Sequence, residues 1–188
     1  MGRKWLWAVS FMLLFCISCK DNRKQVRKDL EELPSQPIEL CIEHMQVWKD
    51  GWNTDPPHGH KGLKLIIYSD STVCSSCRLR NIHLWDDWVI KTEAYRDILD
   101  ICFIFSPTLK DINNFRLAMR TYAPDYPVYV DSLSIFRKAN PHLPHNPLFH
   151  TFLLDEDNRV VLVGNPLENE RIEELFWKIV KERLGERH

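Results

Sequence analysis

Two cysteines three residues apart, Cys74 and Cys77 in the stretch STVCSSCRLR, have the spacing in this chain that most directly suggests chemistry. A Cys-X-X-Cys pair can cycle between dithiol and disulfide, form a purely structural disulfide, or supply two thiolates to a metal ion. Two unrelated core residues could also have this spacing. The elements around the pair and the compartment of the protein distinguish these interpretations.

The apolar pattern around the pair places it between two secondary-structure elements. An apolar run with β-branched residues, bounded by Gly62 and Asp70, predicts a buried strand before it. Apolar residues then recur at helical spacing and predict a helix that begins at or near the cysteines; they are Leu79, Ile82, Trp85 and Val89. The pair is therefore expected at a strand-to-helix turn.

A turn that opens a helix would make one of the two thiols reactive. The first N–H groups of a helix lack partners, and its N-terminus carries about half a positive charge, so a thiolate there is stabilised. Arg78 adds positive charge, and Ser75 and Ser76 offer hydroxyl donors. We therefore predict that Cys74 is the exposed nucleophile and that Cys77, one turn into the helix, is covered and resolves the mixed disulfide.

The rest of the chain predicts an α/β sandwich with a central mixed sheet flanked by helices. The predicted elements are a strand over 98–106, a helix over 107–122 with Ser106 as N-cap, a strand over 126–131, a short helix over 132–140, a hairpin over 149–165 and a final helix. The first strands should be parallel and the hairpin should lie at one edge. Residues 38–52 should add an N-terminal strand or hairpin.

The N-terminal segment predicts export and a lipid anchor. A basic start and an apolar run that is too short to span a bilayer are typical of a secretory signal over residues 1–18. The small residue Ser18 before Cys19 resembles a bacterial lipobox, which implies lipidation of Cys19. Residues 19–37 are then a lipidated cysteine and a polar tether, and residues 38–188 form the domain. Disulfides persist in such a compartment.

Three stretches, IIYSDSTVCSSCRLR, YPVYVDS and FHTFLLDEDNRVVLVGNP, resemble the thioredoxin fold. They are most similar to TlpA/ResA-type thioredoxin-like lipoproteins of Bacteroidetes, over about residues 62–184. The resemblance implies a thiol–disulfide oxidoreductase with Cys74 as the attacking thiol and Cys77 as the resolving thiol. It implies no cofactor. Its expected partners are cysteine-containing exported proteins and a membrane or periplasmic electron donor, in the cell envelope.

The chain departs from the family pattern at two positions beside the cysteines. Val73 stands where the family usually has tryptophan, and His150 stands where it has a cis-proline facing the pair. Pro147, three residues earlier, is the candidate to take the place of that proline. In the family this proline keeps metal from the dithiol and helps to seat an extended substrate. The residues around the pair expected to modulate it are Val73, Ser75, Ser76, Arg78, Pro147 and His150.

Two functions of other classes stay open at this point. The fold could serve as a non-catalytic binding module, or the cysteines with His142, His145 or His150 could hold copper or zinc as in a metal chaperone. We assign no metal site. The formal charge of −1 gives no support for a nucleic-acid partner. Cys102 is expected to be a buried inert thiol, and a disulfide between Cys41 and Cys102 is not decided by the sequence.

Overall fold

The computed structural model describes residues 23–54 and 62–185. The predicted signal segment and Cys19 lie outside the described residues. The helices are α1 (residues 23–32), α2 (Ser75–Arg80), α3 (Asp86–Thr92), α4 (Ile112–Tyr122), α5 (Ile135–Ala139) and α6 (Glu170–Leu184). The strands are β1 (Gln46–Lys49), β2 (Trp52–Thr54), β3 (Leu63–Ser69), β4 (Leu99–Phe105), β5 (Val128–Val130), β6 (Thr151–Leu154) and β7 (Val160–Val163). None of the described helices is long and apolar enough to cross a bilayer.

The described strands form one mixed sheet in the order β2-β1-β5-β4-β3-β6-β7. β3 pairs in parallel with β4, and β4 pairs in parallel with β5. β6 and β7 form an antiparallel hairpin at one edge, and β1 and β2 form a second hairpin at the other. This central mixed sheet flanked by helices confirms the predicted α/β fold, including its extra N-terminal hairpin.

Each face of the sheet has its own apolar core, which explains why β3 is buried along its whole length. Leu65 and Ile67 point into the larger core, which α2, α3, α4 and α6 cover. Ile66 and Tyr68 point into the smaller core, to which α5 contributes Phe136. Alternation along a strand therefore puts apolar side chains on both faces, as expected for a strand covered on both sides.

The chain upstream of β1 packs on the smaller core. Leu33 is fully buried there, so packing against the domain begins within the segment that the sequence predicts as a tether. Farther along, the Glu39 N–H donates to Asn140 Oδ1 at 2.9 Å, and Asn140 Nδ2 donates to the Glu39 carbonyl at 2.8 Å. These reciprocal bonds pin the segment to the end of α5.

The helix predicted over 107–122 begins later than the sequence suggests, so the N-cap assignment of Ser106 is wrong. Ser106 is buried, its N–H donates to the Ser69 carbonyl at 2.8 Å, and its hydroxyl donates to Asp131 Oδ2 at 3.2 Å. These bonds tie Ser106 to neighbouring strands, so it is not free to cap a helix. The chain forms a turn at Thr108 before α4 begins at Ile112.

Candidate active site

The strand directions bring the cysteine turn together with three other loops at one edge of the sheet. Because β3, β4 and β5 are parallel, their C-terminal ends lie at the same edge. β6 is antiparallel to β3, so its N-terminal residue Thr151 lies there too. We call this edge, where Ser69, Phe105, Val130 and Thr151 meet, the cysteine edge. Functional residues commonly lie at this end of the strands in α/β folds.

Cys74 and Cys77 form a disulfide at the start of α2, with their Cα atoms 5.2 Å apart. Cys74 is the N-cap of the helix, and its Sγ accepts the backbone N–H of Cys77 at 3.3 Å. Ser76 Oγ lies 3.5 Å from the same sulfur. When the disulfide is reduced, these donors and the helix N-terminus would stabilise a thiolate on Cys74.

Both cysteines are exposed, so the expectation that Cys77 is covered is wrong. The reason is the orientation of the short helix α2. Ser75 and Leu79, four residues apart, point toward the sheet and are buried, whereas Cys74 and Cys77 lie on the outward side. A second protein could therefore reach either sulfur.

The neighbours of the pair differ in what they contribute. Ser75 Oγ is buried and has no hydrogen-bond partner among the described residues, so of the two serines only Ser76 is placed as a donor to Cys74. Arg78 is exposed beyond the disulfide. Val73 is half-buried, and its N–H donates to the Asp70 carbonyl at 3.3 Å. The backbone of Val73 thus shapes the turn before Cys74.

A histidine, not a proline, occupies the residue before β6. His150 is 1% exposed and its carbonyl accepts the Tyr68 N–H at 2.9 Å, which joins it to β3. Pro147 opens a short 3₁₀ turn, Pro147–Phe149, which is capped when Asn146 Oδ1 accepts the Leu148 N–H. No peptide bond among the described residues is cis, so Pro147 does not supply the cis-proline of the family pattern.

A buried polar network that the sequence does not predict lies behind the cysteine turn. Its centre is Arg137 on α5. One guanidinium nitrogen, Nη1, donates to the Leu143 carbonyl at 2.7 Å. The other, Nη2, lies 3.0 Å from the Pro144 carbonyl, 3.3 Å from Asp70 Oδ2 and 3.2 Å from His150 Nε2. A charged residue directly at the end of a buried strand, as Asp70 is, was the one sequence signal of this network.

Burial and hydrogen bonding fix the protonation of the two titratable members. Burial lowers the pKa of His150, although the Pro144 carbonyl, 2.8 Å from Nε2, partly opposes this. The imidazole is therefore neutral near pH 7. Burial raises the pKa of Asp70. The hydrogen bonds from Thr72, the nearby His150 and the hydrogen bond from Arg137 outweigh this effect, so the pKa of Asp70 lies below its usual value. Asp70 is thus a carboxylate paired with Arg137.

His150 should make the protein less stable in mild acid. Because its pKa is lower in the folded chain, the unfolded chain binds the proton first as the pH falls below about 6.5. The free energy of unfolding should therefore decline as the pH is lowered from about 7.5 to about 5. His142, whose pKa burial also lowers, should add to the decline. Urea unfolding across this range measures it.

His150→Gln is the matched variant for this prediction, because glutamine keeps a donor but does not titrate. Its free energy of unfolding should depend less on pH than that of the unchanged protein over the same range. An equally steep decline in the variant would show that His150 is not the group responsible.

The remaining histidines and cysteines do not assemble a second site in the part of the chain that the structure describes. His142 is half-buried and His145 is exposed, and residues 23–54 and 62–185 contain no group of three or more His, Cys, Asp or Glu side chains arranged to hold a metal. Cys41 and Cys102 are free thiols, so they form no disulfide with each other. Cys102 is buried as predicted, and burial raises its pKa to about 12, which makes it unreactive.

No protein-family model matches the chain, and no curated protein matches it. Solved structures do. One is a thioredoxin-like protein in its oxidised form, with 15% identity and a TM-score of 0.48, covering 76% of this chain and 96% of that one. A thioredoxin-like protein from Bacteroides caccae has 13% identity and a TM-score of 0.48, covering 85% and 56%. An uncharacterised thioredoxin-like protein from Porphyromonas gingivalis has 13% identity and a TM-score of 0.42, covering 76% and 92%.

Proposed function

We propose that this protein is a thiol–disulfide oxidoreductase that exchanges disulfides with other proteins through Cys74 and Cys77. The observation that carries the proposal is the geometry of Cys74. Its sulfur is exposed at the N-cap of α2 and accepts the Cys77 backbone N–H at 3.3 Å. A thiolate in such a position is stabilised, and the thiolate is the form that attacks a disulfide.

The exchange needs only the two cysteines and a client protein. A client thiolate attacks one sulfur of the Cys74–Cys77 disulfide, forms a mixed disulfide and releases the other cysteine as a thiolate. A second client thiolate then attacks the mixed disulfide. The client loses two electrons and becomes a disulfide, while the pair gains them and becomes a dithiol. The reverse sequence reduces a client, with Cys74 attacking and Cys77 resolving.

The position of the disulfide favours redox work over a structural role. Cys74 and Cys77 lie in one turn at the start of α2, so their disulfide does not link α2 to another helix or strand. The entropy that a cross-link removes from the unfolded chain grows with the length of the loop that it closes, and this loop is very short. The exposed disulfide therefore contributes little to stability and remains accessible for exchange.

The proposal extends to the place where exchange occurs. Residues 1–18 would direct export, and lipid on Cys19 would hold the protein in the cell envelope. Its clients would then be other exported proteins with cysteines. A membrane or periplasmic electron donor would reduce the Cys74–Cys77 disulfide again. Cys19→Ala should move the protein from the membrane fraction to the soluble fraction. A variant that stays in the membrane fraction would refute the lipid anchor.

Catalysis of thiol–disulfide exchange in a model substrate tests the activity. The domain is mixed with glutathione buffer and a peptide pair joined by one disulfide, and the rate is compared with that of the buffer alone. We expect a rate that rises in proportion to the protein concentration. No increase above the buffer would favour the alternative that the fold serves as a binding module.

A further inference from the structure

The ion pair of Asp70 and Arg137 joins the cysteine turn to the neighbouring loop. Asp70 directly follows β3 and lies four residues before Cys74. Its Oδ2 is 3.3 Å from Arg137 Nη2, and the two side chains are only 8% and 20% exposed. Most other ion pairs of the described residues join well-exposed side chains, such as Arg27 with Glu31. A largely buried pair at the cysteine edge therefore calls for a specific explanation.

Asp70 shapes the turn that leads into Cys74. Asp70 Oδ1 accepts both the Thr72 N–H at 3.0 Å and the Thr72 hydroxyl at 2.5 Å. The Asp70 carbonyl accepts the Val73 N–H at 3.3 Å. The path of the chain from the end of β3 to Cys74 thus depends on one carboxylate and its backbone.

Arg137, the other member of the ion pair, holds that turn against the rest of the cysteine edge. The Arg137 guanidinium also binds the carbonyls of Leu143 and Pro144, at 2.7 and 3.0 Å, in the loop before β6. It further stands 5.9 Å from the centre of the Tyr68 ring. A single planar cation can make this set of contacts because its donors point in several directions. Arg137 therefore connects α5, the loop before β6 and the cysteine turn.

We propose that Asp70 and Arg137 are positioning residues for the redox pair: together they hold the turn before Cys74 in place, and their opposite charges cancel beside it. The inference rests on the proposed function, since it concerns how the same disulfide is tuned. A charge left unpaired here would act on the Cys74 thiolate through partly buried protein, where screening is weak. Removing either partner should therefore shift the thiol–disulfide equilibrium, in opposite directions.

Asp70→Asn and Arg137→Met test this by the sign of their effects on the reduction potential at about pH 8, close to the pKa of a free thiol. D70N leaves the guanidinium unpaired, which favours the thiolate and hence the reduced form, so the potential should rise. R137M leaves the carboxylate unpaired, so the potential should fall. We expect about a threefold change in the equilibrium constant each way, or about 14 mV, since tenfold corresponds to about 30 mV.

Arg137→Lys separates charge from folding. Lysine keeps the positive charge but loses the forked hydrogen bonds, so its potential should lie close to that of the unchanged protein even if it is less stable. Arg183→Met is the matched control. Arg183 pairs at 3.1 Å with Glu156 in the β6–β7 turn, which lies at the end of the strands opposite the cysteine edge. Loss of the Arg183 charge should not change the potential. If D70N does not fold, the comparison of R137M with R137K decides alone.

The outcomes separate this inference from the function on which it rests. A potential of the unchanged protein below about −300 mV would refute the redox function itself. With a working potential, shifts of the same sign in D70N and R137M, or no shift in either, would refute only the balance of the two charges beside the redox pair. Shifts of opposite sign, with R137K close to the unchanged protein, would establish that this charge balance tunes the pair.

Discussion

Cys74→Ser should abolish thiol–disulfide exchange. Serine keeps the size of the side chain and can still accept the Cys77 N–H, so the fold and the start of α2 should persist. What is lost is the only sulfur of the pair that is placed as the N-cap of the helix. Removal of a catalytic nucleophile costs orders of magnitude in rate, and we expect exchange to fall to that of the buffer alone. The peptide exchange assay measures this.

Cys77→Ser should behave differently, because it keeps the attacking thiol and removes the thiol that resolves the mixed disulfide. We expect covalent complexes with client proteins to accumulate, and these are seen as reductant-sensitive bands of higher mass. Cys102→Ala is the control, since its buried thiol should not affect exchange or trapping. Equal activity of Cys74→Ser and the unchanged protein would refute the assigned role, as would a Cys77→Ser variant that traps no client.

Asp131→Ala should cost about 3 kcal/mol of stability, because three donors at the cysteine edge lose their acceptor. Asp131 is 2% exposed and directly follows β5. Its carboxylate accepts the N–H groups of Ile135 and Phe136, at 2.8 and 2.9 Å, and the Ser106 hydroxyl at 3.2 Å. It thereby caps α5, the helix that carries Arg137. Urea unfolding at pH 7 measures the loss.

Asp157→Ala is the matched control for Asp131, since Asp157 is exposed in the β6–β7 turn. Surface changes of this kind usually alter stability by less than about 0.5 kcal/mol. If both variants lost the same small amount of stability, the cap that Asp131 provides for α5 would not be an important contact for the fold. A loss confined to Asp131→Ala would support the assignment, and it should also loosen Arg137 and the cysteine turn.

The parts of the fold that depend on local pattern could be predicted from the sequence. The apolar run over 63–67 has β-branched residues and a glycine before it, and it forms the buried strand β3. The hairpin of β6 and β7 follows from two apolar runs around an Asp-Glu-Asp-Asn turn. In both cases residues close in the chain determine the structure, so the periodicity of a short window is enough.

The network around Arg137 could not be predicted, because its members are distant in the chain. Arg137 lies 67 residues from Asp70 and 13 from His150, and no periodic pattern links them. Leu33 is a comparable case, since it is one of a few scattered apolar residues in a mostly polar segment, and nothing in their spacing shows that it fills a distant core. The exposure of Cys77 depends on how α2 is rotated on the sheet, which the spacing of its apolar residues did not reveal.

The measurement that tests the central claim most directly is the reduction potential of the Cys74–Cys77 pair. The domain is equilibrated in graded thiol buffers, alkylated and weighed to give the fraction oxidised. We predict a value between about −270 and −120 mV, the range of known dithiol proteins, and its position within that range shows whether clients are reduced or oxidised. A value well below about −300 mV would mark a structural disulfide and contradict the proposed function.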